Sequence, residues 1–280
     1  MSREFDLRSA VNAVSDVVAN RPPPLREFDQ IYMKVADMVI QAHFISDRFK
    51  DKDVVFIGDG DAIGLSVMHL TKQGTFNEGP RSITVLDFDE RIVNSINRFA
   101  EKYDFADSMK AQLYNVIEPL PNGLQGEFDA FYSNPPWGQS NGGESVMIFL
   151  ERGIEATAKK SEGAIVIADD QTLPWTQEVL LACQKHASSY GYIVSEMLPE
   201  LHLYHLDDNP NLRSCTCVFR SVEFEKSVPV SKPLDMTRIE NFYGRNNPLK
   251  VKYVRENETL NYGKAYDNSY HYEKLGEEYE

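Results

Sequence analysis

Cysteine is scarce. Only Cys183, Cys215 and Cys217 occur in 280 residues. An odd set without CxxC spacing excludes a disulfide framework and paired zinc knuckles, and it points to a reducing compartment. Cys215 and Cys217, two apart, read as neighbours on one face of a strand rather than as reactive thiols. Cations are short as well, since 29 Lys plus Arg stand against 43 Asp plus Glu, a formal charge of −14. A broad clamp on a phosphate backbone needs the opposite sign, so no tight, sequence-independent duplex DNA binding is expected. A small ligand or a cationic partner is easier to hold. No apolar run approaches the ~18 residues of a membrane-crossing helix. The start MSREFDLRSAVNAVSD lacks the basic-then-apolar order of a secretory signal, so the expectation is a cytoplasmic chain with no membrane partner. Internal repeats and low-complexity tracts are missing too. What is present suits a globular domain: 42% hydrophobic and 26% charged residues supply a core that needs no staples.

The apolar periodicity predicts helices over 4–19 and, after the breaker Pro22-Pro23-Pro24, over 27–49, together an N-terminal helical cap spanning 1–50. From residue 53 short apolar runs alternate with amphipathic ones: VVFIG, ITVLD, AQLYNV, FDAFYSN and GAIVIAD. That alternation means a parallel sheet with crossover helices. YGYIVSEML and SCTCVFRSVEF follow with no convincing helix between them and predict a closing antiparallel hairpin, which ends a catalytic unit over 51–222. The layout resembles the Rossmann-like class I methyltransferase fold, an α/β architecture with a seven-stranded, mostly parallel sheet and a C-terminal antiparallel hairpin. Residues 223–280 form a tyrosine-rich appendage in which Tyr262, Tyr266 and Tyr270 recur at helical spacing. It reads either as a packed surface element or as an arm that covers substrate or binds a partner.

The chemistry-bearing residues sit at predicted strand ends. In VVFIGDGDAIG, Gly58, Gly60 and Gly64 let the backbone approach a ligand and present helix N-terminal amides. Asp59 and Asp61 beside them repel a pyrophosphate and suit a ligand bearing a sulfonium or an ammonium, while Asp61 also serves as a helix cap. Asp87 ends the second strand where a carboxylate can take both hydroxyls of a ribose, with Phe88 next to it. Asp89 is placed to cap the following helix. Asn115 at the third strand end is read as an adenine-edge contact or a plain turn residue. The fourth strand runs into Asn134-Pro135-Pro136-Trp137. Two prolines stiffen this loop, so the Asn134 side chain and backbone carbonyls offer an amino group rigid acceptors, and Trp137 can stack on a planar substrate face. Tyr204 and His205 could line the acceptor pocket. His202 and His205 lie three apart on a strand-to-loop segment and face different ways, so no metal is expected.

NPPW looks like the catalytic loop of amino-group methyltransferases, and GDGDAIG with LDFDE is similar to an S-adenosylmethionine site of the class I fold. A wider match, over roughly residues 20–220, rests on RPPPLREFDQ, FIGDGD, LDFDER, EPLP, GEFDAFYSNPPW and FLERGIEA. Together these resemble the catalytic domain of the branched-chain polyamine synthase family, aminopropyltransferases that use decarboxylated S-adenosylmethionine and spermidine. The resemblance implies a GDDD turn and a DPP loop, and this chain departs at both, with Gly60 and Asn134 where that family has acids. It also implies an amino-terminal winged-helix module, which some 50 residues before the first strand are too few to hold. Asp29 and Gln30, Asp59 and Asp61, Asp87, and Asn134 to Trp137 are the positions that carry over.

Neutral Asn134 beside Trp137 favours methyl transfer from S-adenosylmethionine to an amide or nucleobase nitrogen as the first reading. The alternative is aminopropyl transfer to a polyamine from the decarboxylated donor. A non-catalytic binding protein of the same fold is the third. Each takes a small-molecule donor, the first two also an acceptor amine or nucleobase, and a homodimer is compatible with all three.

Overall fold

The computed structural model describes residues 5–222, 230–258 and 269–276. Strands β1 (Asp53–Ile57), β2 (Ser82–Asp87), β3 (Met109–Leu113), β4 (Phe128–Ser133), β5 (Thr157–Ala168), β6 (Tyr192–Leu203) and β7 (Arg213–Ser221) form one sheet in the order β3-β2-β1-β4-β5-β7-β6. The five strands from β3 to β5 pair in parallel, and β7 runs antiparallel between β5 and β6. This is the seven-stranded Rossmann-like layout with its closing hairpin.

Each central strand is apolar on both faces because helices cover both. Val54, Phe56, Ile83, Val85, Ala130 and Tyr132 face a core shared with α1 (Leu7–Asn20), α2 (Val35–Arg48), α3 (Ile63–Lys72) and α4 (Glu90–Lys102). Val55, Ile57, Phe131, Ile165 and Ile167 face the other core, shared with α5 (Glu144–Ala156) and α6 (Pro174–Ser189). Cys215 and Cys217 lie in that second core, as their spacing predicts. The strand order reverses at β1 and β4, so the loops after these two strands flank the crevice where open α/β sheets bind ligands.

Two local expectations need correction. The predicted helix over 27–49 begins only at Val35. Arg26–Phe28 is a single 3₁₀ turn stopped by Asp29 in the left-handed region (φ 58°). The chain then runs extended: the Lys34 amide donates to the Leu203 carbonyl at 2.9 Å, and the His205 amide to the Tyr32 carbonyl at 2.9 Å. Apolar spacing cannot register this pairing with residues far along the chain. In the tail, Tyr270 belongs to β9 (Tyr270–Lys274), antiparallel to β8 (Val251–Glu256), and not to a helix. Tyr262 and Tyr266 lie outside the described residues.

Candidate functional site

At the carboxyl ends of β1, β2 and β4 opens a cleft of about 850 Å³, its open mouth included. The turn after β1 forms one wall. Gly58 has φ +75°, a left-handed conformation that favours glycine, and it stands beside Phe149 and the Asp87 carboxylate. The two aspartates of the turn face opposite ways. Asp59 turns inward and caps α3, accepting from the Ile63 amide at 2.8 Å and the Gly64 amide at 2.9 Å. Asp61 faces the cleft, so the predicted capping role passes from Asp61 to Asp59. Gly64 leaves room for the Asp59 carboxylate, 3.0 Å from where a Cβ would stand. Neither Asp59 nor Gly64 lines the cleft; they hold its wall.

Asp61 accepts from the Met33 amide at 2.6 Å and from Asn134 Nδ2. Arg21 donates to the Asp61 carbonyl at 3.0 Å and lies 4.1 Å over the Tyr32 ring. Burial pushes the Asp61 carboxyl up from its ordinary value, and Arg21 is the main influence opposing it.

Asp87 is held from behind. Its Oδ2 accepts from the Asp59 amide at 3.1 Å and its Oδ1 from the Asp89 amide at 2.9 Å, which leaves one further lone pair on each oxygen for a ligand in the cleft. Burial, then the neighbouring Asp89, pushes Asp87 up to about 7. Asp89 caps α4 as expected, through the Arg91 amide at 3.1 Å. Phe88 and Asn115 both line the cleft, but the Asn115 amide is engaged within the protein. It donates to the Lys252 carbonyl at 2.6 Å and accepts from the Ile117 amide at 3.2 Å. Its hydrogen bonds hold the tail, and both amide hydrogens are spent on the Val251 and Lys252 carbonyls.

Beyond β4, Asn134, Pro135, Pro136 and Trp137 all line the cleft. The indole N–H of Trp137 donates to the Val166 carbonyl at 3.2 Å, and the ring meets Tyr204 edge-on at 5.2 Å. Tyr204 lines the cleft; His205 is exposed and does not. Asp29 and Gln30 do line it. Asp29 is pushed up to about 6 by burial, against the pull of Arg26. Gln30 accepts from the Leu25 amide at 2.7 Å and donates to Asp89 at 3.2 Å. Sequence reasoning missed five aromatic residues of the wall, Phe28, Tyr32, Tyr114, Phe149 and Tyr243. Tyr32 adjoins the quoted REFDQ stretch and was within reach. Tyr243, some 110 residues beyond the end of β4 at Ser133, carries no local signal. No group of three or more His, Cys, Asp or Glu among the described residues is arranged to hold a metal ion.

The family model described as branched-chain polyamine synthase A C-terminal domain matches residues 9–272. An N(4)-bis(aminopropyl)spermidine synthase of Methanocaldococcus jannaschii is 28% identical over 143 residues, 50% of this chain and 37% of that protein. A protein of the same name from Thermococcus kodakarensis is 28% identical over 146 residues, 51% of this chain and 38% of that one. The matched region thus spans well under two thirds of these relatives' length. The branched-chain polyamine synthase of Thermus thermophilus, solved with N4-aminopropylspermidine and 5′-methylthioadenosine, superposes with a TM-score of 0.66 at 18% identity, over 88% of this chain and 71% of that one. A putative RNA methyltransferase from Pyrococcus horikoshii gives 0.54 at 15% identity, over 74% and 96%. At such identities the two structures bear on the fold alone.

Proposed function

Because the chain belongs to the branched-chain polyamine synthase A C-terminal domain family, we propose that it is a transferase that moves an aminopropyl group from decarboxylated S-adenosylmethionine to an amine. One observation carries this reading. Among the described residues lining the cleft, three are aspartates, Asp29, Asp61 and Asp87, and none is Lys, Arg or His. A donor bearing a sulfonium and a free ammonium meets carboxylates on every side, whereas intact S-adenosylmethionine brings a carboxylate that finds no cation in the wall. The order of the two transfer readings taken from the sequence is therefore reversed.

The residues fit such a donor. Asp87, with one lone pair free on each oxygen, takes the ribose hydroxyls; Gly58 lets the backbone approach; Phe88 and Tyr243 offer aromatic surface. The acceptor enters beside Asn134, Trp137 and Tyr204. Its nitrogen lone pair forms the N–C bond while the C–S bond breaks, with the electron pair going to sulfur. The products are a neutral thioether, 5′-methylthioadenosine, and an alkylated ammonium that yields its extra proton to solvent. Attack on an already activated sulfonium carbon requires positioning more than acid–base power. Asn134, whose amide oxygen accepts an amine hydrogen, supplies that positioning.

Methyl transfer to a planar nitrogen is the second reading, favoured by the neutral Asn134 in an Asn-Pro-Pro-Trp loop. Calorimetric titration with the two donors separates them. The decarboxylated donor is expected to bind at least tenfold more tightly, about 1.4 kcal/mol, and incubation with spermidine is expected to yield, by mass spectrometry, the acceptor enlarged by one aminopropyl group. Equal or tighter binding of S-adenosylmethionine, with methylated product, overturns the proposal.

A further inference from the structure

A buried polar chain runs from the acceptor end of the cleft into the core, and its inner members have no part in the transfer described above. His202 on β6 is fully buried. Its Nε2 lies 2.8 Å from Gln41 Oε1 and its Nδ1 3.0 Å from Ser214 Oγ. Ser214 Oγ in turn lies 2.8 Å from the Tyr204 hydroxyl. Thr216 Oγ1 donates to the same Gln41 oxygen at 2.9 Å. Tyr204 lines the cleft edge-on to Trp137, with Asn134 the next polar side chain beside its phenol.

Counting hydrogens gives this chain a direction. An amide oxygen only accepts, so His202 Nε2 carries the ring hydrogen and donates to Gln41. Burial keeps the imidazole neutral by pushing its pKa down to about 4, and a neutral ring has one N–H, so Nδ1 accepts from Ser214. Ser214 has then spent its only hydrogen and must accept from Tyr204. The Tyr204 hydrogen points inward, and its oxygen keeps a lone pair for a donor. Asn134 Nδ2 already gives one hydrogen to Asp61, and the Tyr204 phenol stands beside the amide, under its electrostatic influence. The Asn134 carbonyl oxygen is what remains for the cleft.

We propose that His202 is a positioning residue: through Ser214 and Tyr204 it supports, beside Asp61, the orientation of the Asn134 amide in which Oδ1 and not Nδ2 meets the hydrogens of the acceptor amine. The opposite tautomer, with the Gln41 amide reversed, turns the bonds from Gln41 to Tyr204 around and aims the Tyr204 hydrogen at Asn134, against the orientation in which Asp61 holds Nδ2. The kinetic arm of the test rests on the aminopropyl-transfer reading; the tautomer arm does not.

Ring ¹⁵N spectra of the full chain between about pH 6 and 8, where the ring stays neutral, are expected to show His202 in the Nε2–H form, and the Nδ1–H form overturns the inference. With the decarboxylated donor and spermidine, Ser214→Ala and Tyr204→Phe are each expected to lower kcat/KM for the acceptor about tenfold. Affinity for 5′-methylthioadenosine should stay within about twofold in both. The double variant should be no worse than Tyr204→Phe, because Ser214 acts through the phenol; multiplied losses overturn the relay. His202→Asn, whose Oδ1 stands where Nδ1 accepts, should retain several-fold more activity than His202→Leu, and equal losses count against it. Absence of any turnover with this substrate pair sinks the transfer reading, and the tautomer still decides the inference.

Discussion

Asp87 is where one atom's surroundings set a measurable property of the site. A carboxylate at about 7 is half protonated near neutral pH, and only the ionised form accepts from both hydroxyls of a ribose. A bound donor, with its positive charge nearby, stabilises the ionised form, so binding expels a proton below about 7 and affinity rises with pH until that point, then levels. Isothermal titration from pH 5.5 to 8.5 should trace this curve, and affinity that falls with pH would place the donor elsewhere. Asp87→Ala should cost tenfold or more in donor affinity, two charge-assisted bonds of about 1.5–3 kcal/mol each being lost. Asp61, Asp87 and the Asn134 loop were legible in the sequence because strand-end acids and a Pro-Pro loop are local features. Asn115 was not, since its partners, the Val251 and Lys252 carbonyls, stand 136 and 137 residues away. The sequence also assigned the cap of α3 to Asp61, when the Asp59 carboxylate takes that place through the Ile63 and Gly64 amides.

Among the elements, the hairpin of β8 and β9 decides how the tail relates to the cleft. Its backbone is tied to the ends of β2 and β3: the Val254 amide donates to the Phe88 carbonyl at 3.1 Å, the Glu256 amide to Glu90 at 2.9 Å, and Asn115 Nδ2 to Lys252. Val254 is fully buried. Phe28 meets Phe88, Tyr243 and Tyr272 edge-on at 5.3–5.4 Å, so the aromatic residues of the tail and the cleft wall form one cluster. Asn115→Ala removes one of the hairpin's ties and leaves the partly buried Ile117 amide without its partner. A loss of about 1–3 kcal/mol in urea unfolding is expected, with weaker donor binding because Tyr243 is no longer held. A variant as stable as the parent would mean that the clasp contributes nothing. The seven sheet strands could be read from their apolar runs, since buried parallel strands have few alternatives. The tail could not: its strands are short and polar, with only Val251 and Val254 strongly buried within β8, and their pairing depends on the body they lie against.

Across the whole molecule, charge makes stability depend on pH in a direction unusual for a protein rich in carboxylates. Asp29, Asp59, Asp61 and Asp87 are all raised by burial. Between the ordinary carboxylate value near 4 and about 7, the folded chain therefore binds more protons than the unfolded one, and its stability falls as pH rises through that window. Other acids pull the opposite way only at lower pH: Asp53 and Glu151 are held down by Arg81 and by His186 with Arg238, and their contribution is lost below about 4. The buried His69 and His202, held down by burial, also oppose the trend below their ordinary value near 6.5, two groups against four. Ligand-free protein should thus melt a few degrees higher at pH 5.5 than at pH 8. The net charge of −14 adds self-repulsion of the same sign, but about 0.5 M salt screens exposed charges and leaves buried carboxylates largely unscreened, so most of the difference should survive. Asp87→Asn, with nothing to titrate, should flatten the slope, as should saturating decarboxylated donor, whose cation lets the cleft acids ionise without penalty. A melting temperature that climbs steadily from pH 5.5 to 8 in the ligand-free protein would mean that the cleft acids are paired or solvated, and the cation-binding cleft would lose its electrostatic basis.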